Sequence, residues 1–228
     1  MNFYLLNPVL DKQIAEIRRS IRLAMNGDVS EKMAEYGIVY KRNYGVSIPG
    51  LREIAKMYAK NLDLARRLWA LKIRETMILA TLLADENRFS LENAFEWLAD
   101  CSQMELVEQL CMNLFCRLPY ANILCVELAK SADFWKKTAG FVLSARIYEQ
   151  LTDEEIKFIV SKGIENSASE KFYLYKSIAL SFSRISRKGR ATADFILNEI
   201  ASFENSNVKG QQYVWNEVKA EILCFYQQ

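Results

Sequence analysis

The chain contains no histidine. That absence removes Ser-His-Asp and Cys-His nucleophiles, the imidazole general base and every histidine metal ligand. No GxxxxGK[ST] or GxGxxG stretch is present, so neither a P-loop nor a dinucleotide fingerprint is available. The five cysteines (Cys101, Cys111, Cys116, Cys125 and Cys224) form no CxxC pair. In apolar helical contexts they are expected to be core thiols of a reducing compartment, with no disulfide set or zinc site. No apolar run approaches the roughly 18 residues of a membrane span, and the opening MNFYLLNPVL lacks a basic segment and is interrupted by Pro8. A soluble, cytoplasmic, monomeric protein without metal or cofactor is expected. If it is an enzyme, carboxylates, aromatic faces or placed cations must do the chemistry.

What remains is one kind of element. Across 228 residues, apolar side chains recur at spacings of three and four, while alternating strand-like runs are missing. The pattern predicts helices near 11–26, 30–36, 49–60, 62–70, 72–84, 90–100, 103–118, 122–130, 133–149, 152–165, 169–187, 190–202 and 209–224. Gly27, Gly163, Gly189 and Gly210 fall where helices are expected to stop, Pro49 suits a first helical turn, and Pro119 is expected to close the 103–118 helix. Thr152 followed by Glu155 has the pattern of a capping box. Short antiparallel helices in series, with a period of roughly 40 residues, fit a HEAT-like solenoid. The fold class is therefore all-α, a single domain over residues 1–228 built of helix pairs, and such a stack presents a concave groove.

The net charge of +2 is too weak to imply nucleic acid by itself, so distribution matters. On the 169–187 segment, Leu174, Ile178, Ser181, Phe182 and Ile185 form a core stripe. On its other side Tyr173, Lys176, Leu180, Arg184 and Arg187 follow one another, with Lys188 and Arg190 extending the series. No acid interrupts that stripe, which makes phosphate binding as good a reading as a solvated face. Lys136 and Lys137 open another helix, and Gly140 and Ser144 lie on nearly the same side as Lys137, where either a close ligand or tight helix packing would suit them.

YGVSIPGLREIAKMYAK from Tyr44, followed by RRLWALKIRETMILATLLAD, resembles the N-terminal half of the DNA alkylation repair (AlkD-like) family of HEAT-repeat alkylpurine DNA glycosylases. FWKKTAGFVL resembles its W-x-R-R-T-A helix and KSIALSFSRISRKG its K-A-I-G-W-x-L-R helix. The resemblance covers about residues 12–220. It implies a protein that grips duplex DNA by its phosphates and hydrolyses the N-glycosidic bond of a cationic alkylated purine. Two tryptophan faces and an aspartate would stand beside the sugar, chemistry that needs no histidine.

The family's N-W-D-x-V-D motif lies without a gap on Gln103 to Glu108. Met104 therefore takes the tryptophan position and Glu108 the aspartate position. In the second motif Leu180 stands for the other tryptophan and Ser183 for the following arginine, while Lys136 and Lys137 replace paired arginines. Tyr36 resembles a family groove tyrosine. Val107, Leu110, Cys111, Leu114 and Leu118 define the core side of the 103–118 helix, which leaves Met104 and Glu108 at its flank. The expected partner is double-stranded DNA, contacted by Tyr36, Lys136, Lys137, Tyr173, Lys176, Arg184 and Arg187. Glycosylase activity is expected to be weak, altered or absent. Two other functions stay open: an active glycosylase using Glu108, with Tyr36, Tyr40 or Tyr173 as substitute faces, and a HEAT-like scaffold for a protein partner.

Overall fold

In the computed structural model, which describes residues 6–226, the chain is all helical among the described residues. In chain order the helices are α1 (Pro8–Leu23), α2 (Gly27–Glu35), α3 (Ile48–Lys56), α4 (Leu62–Ala70), α5 (Arg74–Leu83), α6 (Leu91–Ala99), α7 (Met104–Asn113), α8 (Ala121–Lys130), α9 (Phe134–Arg146), α10 (Asp153–Asn166), α11 (Phe172–Ile185), α12 (Arg190–Glu199) and α13 (Lys209–Tyr226). Residues 1–5, the first half of the opening MNFYLLNPVL, lie outside the described residues. No described helix is long and apolar enough to cross a membrane.

Side-chain caps account for six of the thirteen starts among the described residues. Asn7, Asn26, Ser47, Asn61 and Asp133 each turn a side-chain oxygen onto an amide of the first helical turn, satisfying donors the helix cannot. Pro8 and Pro49 sit in first turns, where the missing N–H is no loss. The capping box is present: Glu155 N–H donates to Thr152 Oγ1 at 3.2 Å and Thr152 N–H to Glu155 Oε2 at 2.8 Å.

Glycine punctuation is legible at Gly189 alone, which separates a short 3-10 turn from α12. Gly27 is the first residue of α2, and Gly163 and Gly210 lie inside α10 and α13. The latter two are packing residues. A Cβ at Gly163 would come 2.4 Å from the Phe182 ring, and one at Gly210 would come 2.1 Å from the Ser167 carbonyl oxygen.

The expected 103–118 helix also departs from the spacing. It ends at Asn113, breaks at Leu114 (φ −128°, ψ −61°) and resumes as a 3-10 turn over Phe115–Arg117. Consecutive Leu114 and Phe115 are both fully buried. A straight helix would point them about 100° apart, and the break lets both enter the core.

The chain divides into two compact units, residues up to Ser90 and residues from Leu91 onward. In the first, α5 is the centre, with nine of its ten residues buried and α3 and α4 packed on it. Its charged start is held internally. Glu75 Oε1 accepts from the Tyr44 amide at 3.1 Å and from Arg74 Nη1 at 3.0 Å, while Arg74 Nη1 also donates to the Val46 carbonyl at 2.9 Å.

In the second unit α9 is the centre, packed by α7, α8 and α11, with α13 on the far side of α11. Helices α9, α11 and α13 start at residues 134, 172 and 209, spacings that match the expected period of roughly 40. Trp135 lies beside Tyr173 and Ser144 beside Ser181, so α9 and α11 run parallel, as equivalent helices of successive repeats do.

Gly140 closes the α8/α9 contact and admits no ligand. A Cβ there would stand 2.6 Å from the Ala129 amide nitrogen, and Ser144 is buried, bonded to Ser181 at 2.6 Å. Gly140→Ala should therefore lose about 1 to 3 kcal/mol despite its better helix propensity. Urea denaturation reads this directly, and unchanged stability would mean that α8 gives way freely. Cys101, Cys111 and Cys125 are core thiols as expected, Cys116 is half-buried, and Cys224 is exposed on α13.

Candidate functional site

The outward face of the second unit carries the residues of interest. On α11 the core stripe is buried throughout. Tyr173, Lys176, Leu180, Arg184 and Arg187 all keep some exposure, as the helical spacing requires.

Their surroundings differ. Lys176 is exposed, with its Nζ 5.6 Å over the Phe172 ring. Arg184 is half-exposed and has no hydrogen-bond or ion-pair partner among the described residues. Arg187 is already engaged: its guanidinium pairs with the Glu221 carboxylate of α13 (Nε to Oε1 2.6 Å) and lies 5.2 Å over the Phe225 ring. Beyond it, Lys188 donates to the Leu151 carbonyl, and Arg190 pairs with Asp194 at 3.0 Å. Of the basic series, Arg187 and Arg190 are paired with acids and Lys188 with a carbonyl, while Lys176 and Arg184 have no ion pair among the described residues.

At the start of α9, Lys136 Nζ sits 5.5 Å over the Phe95 ring and Lys137 Nζ donates to Asn166 Oδ1 at 2.6 Å. Both are half-exposed. Tyr36 caps the C-terminus of α2 in the first unit and is 83% exposed.

Met104 opens α7 and is half-buried, as is Glu108 one turn later. The Glu108 carboxylate has no hydrogen-bond or ion-pair partner among the described residues. Burial raises its pKa above the ordinary carboxylate value, Lys176 and Arg146 pull it back down, and Glu105 pushes it up. Three helices thereby meet electrostatically around one acid: α7 supplies it, α11 supplies Lys176 and the end of α9 supplies Arg146. Sequence spacing placed Glu108 and Lys176 on separate motifs and passed over Arg146. Its last-turn position on α9 was the one available signal, and that position suits a helix-dipole role equally well.

A carboxyl raised by folding contributes stability that is fully present below the ordinary carboxylate range and is lost as pH rises through the raised value. Glu108→Gln cannot ionise. It should raise the melting temperature at neutral pH, and the gain should fade as pH falls below the ordinary carboxylate range. A gain that persists in acid would mean the effect is unrelated to ionisation.

With this geometry described, comparison with known proteins places the chain. No curated protein matches it. Its fold is similar, at a TM-score of 0.77 and 13% identity, to a solved structure described as "a new family of proteins related to the HEAT-like repeat DNA glycosylases with affinity for branched DNA structures"; the alignment covers 92% of this chain and 96% of that one. The fold is accordingly a HEAT-like helical repeat. The sequence profile of the family described as DNA alkylation repair enzyme matches residues 17–205, and the chain belongs to that family.

Proposed function

We propose that this protein binds DNA through its phosphates and is a poor alkylpurine glycosylase or none. Lys176 and Arg184, with Lys136, Lys137 and Arg146 nearby in the same unit, are the phosphate contacts. Tyr173 is a contact on that face, and Tyr36 is a contact from the first unit. Arg187 contributes little, because Glu221 already neutralises it. The observation that carries this reading is the state of α7 and α11. The free cations remain, whereas Met104 and Leu180 stand where two electron-rich faces are needed.

A cation–π contact contributes about 0.5 to 2 kcal/mol. Two lost contacts therefore remove roughly 1 to 4 kcal/mol of transition-state stabilisation, about tenfold to a thousandfold in rate. Glu108 keeps the negative charge but displaces it by one methylene, and a shift near 1 Å adds about another hundredfold. The solved relative's affinity for branched DNA favours a forked or junction substrate over a damaged base as the thing recognised.

The test is a paired measurement on one preparation: DNA affinity against salt, and release of methylated purines from alkylated duplex. Steeply salt-dependent binding without release is expected. Absence of binding at low salt would overturn the proposal. Release that disappears in Glu108→Gln would instead make Glu108 the working carboxylate. The same substitution removes a negative charge beside Lys176, so it should tighten DNA binding by about twofold to fivefold.

A further inference from the structure

Where α9 and α11 begin, the second unit carries a row of part-exposed rings. Phe134 and Trp135 of α9 touch edge to face with centroids 4.7 Å apart, and Trp135 lies 6.3 Å from Tyr173 of α11. Phe172 continues the series, 5.7 Å from Tyr173 and 6.1 Å from Tyr213 of α13. Phe172 is 47% exposed and Tyr173 39% exposed, and Trp135 is half-exposed. The chain thus leaves large apolar surface in water at a site where helices from three successive repeats converge.

The charge around these rings decides what they fit. Lys171 Nζ lies 5.3 Å over Phe134 and Lys176 Nζ 5.6 Å over Phe172, and Lys136 rises from the same turn as Trp135. The neighbouring acids are Asp133, Glu170, Glu217 beside Tyr213 and Glu108 beside Lys176. The Asp133 carboxylate is committed to the Lys136 backbone amide at 2.9 Å. Trp135 and Tyr173 carry no cation on their rings among the described residues. Exposed rings interleaved with lysines match a polyanion that also offers flat apolar faces, which is a single strand with unstacked bases. Duplex DNA presents phosphates but keeps its bases stacked, and an apolar protein surface would gain nothing from the lysines.

We propose that this ring cluster stacks unpaired bases of a DNA strand, with Trp135 and Tyr173 as the platforms and Lys136, Lys171 and Lys176 holding the adjacent phosphates. The inference rests on the DNA-binding reading above and adds a specific ligand to it: the single-stranded arm of a fork or junction.

The experiment is fluorescence anisotropy of the full chain with three probes: a blunt duplex, the same duplex with a single-stranded arm, and that arm built from abasic nucleotides. The base-bearing arm should tighten binding about tenfold over the blunt duplex, since stacking is sequence-tolerant and substantial per base. The abasic arm should give no gain. Trp135→Ala should lose most of the gain while blunt-duplex affinity stays within about twofold. Should that variant fold poorly, Trp135→Phe serves instead. It should keep the gain but lose the quenching of tryptophan emission by the base-bearing arm, because Trp69 and Trp97 are buried and Trp215 carries Lys219 on its ring. An abasic arm that binds as tightly as the base-bearing one, or a gain that survives Trp135→Ala in full, overturns the inference and leaves duplex binding standing. Binding to the arm with none to the blunt duplex would do the reverse.

Discussion

Charge reversal at Lys176 and Arg184 together is expected to lower affinity for every DNA sequence alike, by about a hundredfold at moderate salt, and to flatten the slope of log affinity against log salt by about 2. Each neutralised phosphate releases condensed counterions and contributes about 0.9 to that slope, so two lost contacts set the size of the change. The control is Arg187→Ala. Its guanidinium is held by Glu221 and covers Phe225, so removing it should leave the slope nearly unchanged while loosening α13. Equal losses from both substitutions would show that the ion pair opens in the complex. A wild-type slope in the double reversal would reduce the α11 stripe to a solvated face.

The second large effect concerns the first unit. Glu75→Ala should remove about 3 to 5 kcal/mol of stability, the loss typical when a buried charge is left without its partner. Glu75 is fully buried and Arg74 nearly so. Glu75 Oε1 also holds the amide of Tyr44, fixing the segment that leads into α3. Its other oxygen, Oε2, is buried with no hydrogen-bond partner, a standing penalty that the Oε1 contacts must outweigh. Chemical denaturation measures the loss, and limited proteolysis should then cut first around residues 38–46. Glu75→Gln retains one acceptor and should fall between the two. Near-wild-type stability in Glu75→Ala would mean that Arg74 finds water on relaxation.

The elements of this fold are written locally, and the sequence carries them. Thirteen helices among the described residues fall within about five residues of the 3.6-residue pattern, because helix formation depends on contacts three and four residues apart and on caps such as Asn61 and Thr152. The buried stripes of α7 and α11 follow from the same periodicity, and the stretches YGVSIPGLREIAKMYAK, FWKKTAGFVL and KSIALSFSRISRKG carry the family resemblance. What the sequence could not set was which surface charges stay free. Arg187 and Glu221 stand 34 residues apart, and only the packing of α13 on α11 brings them together. The same holds for Glu108, whose position between Lys176 and Arg146 is made by three helices. It holds too for Gly163 and Gly210, which look like helix stops and are points of close approach. Periodicity says which face a residue takes. A charge's partner, a ring's exposure and a glycine's clearance depend on distances between helices, and those exist only once the repeats have stacked.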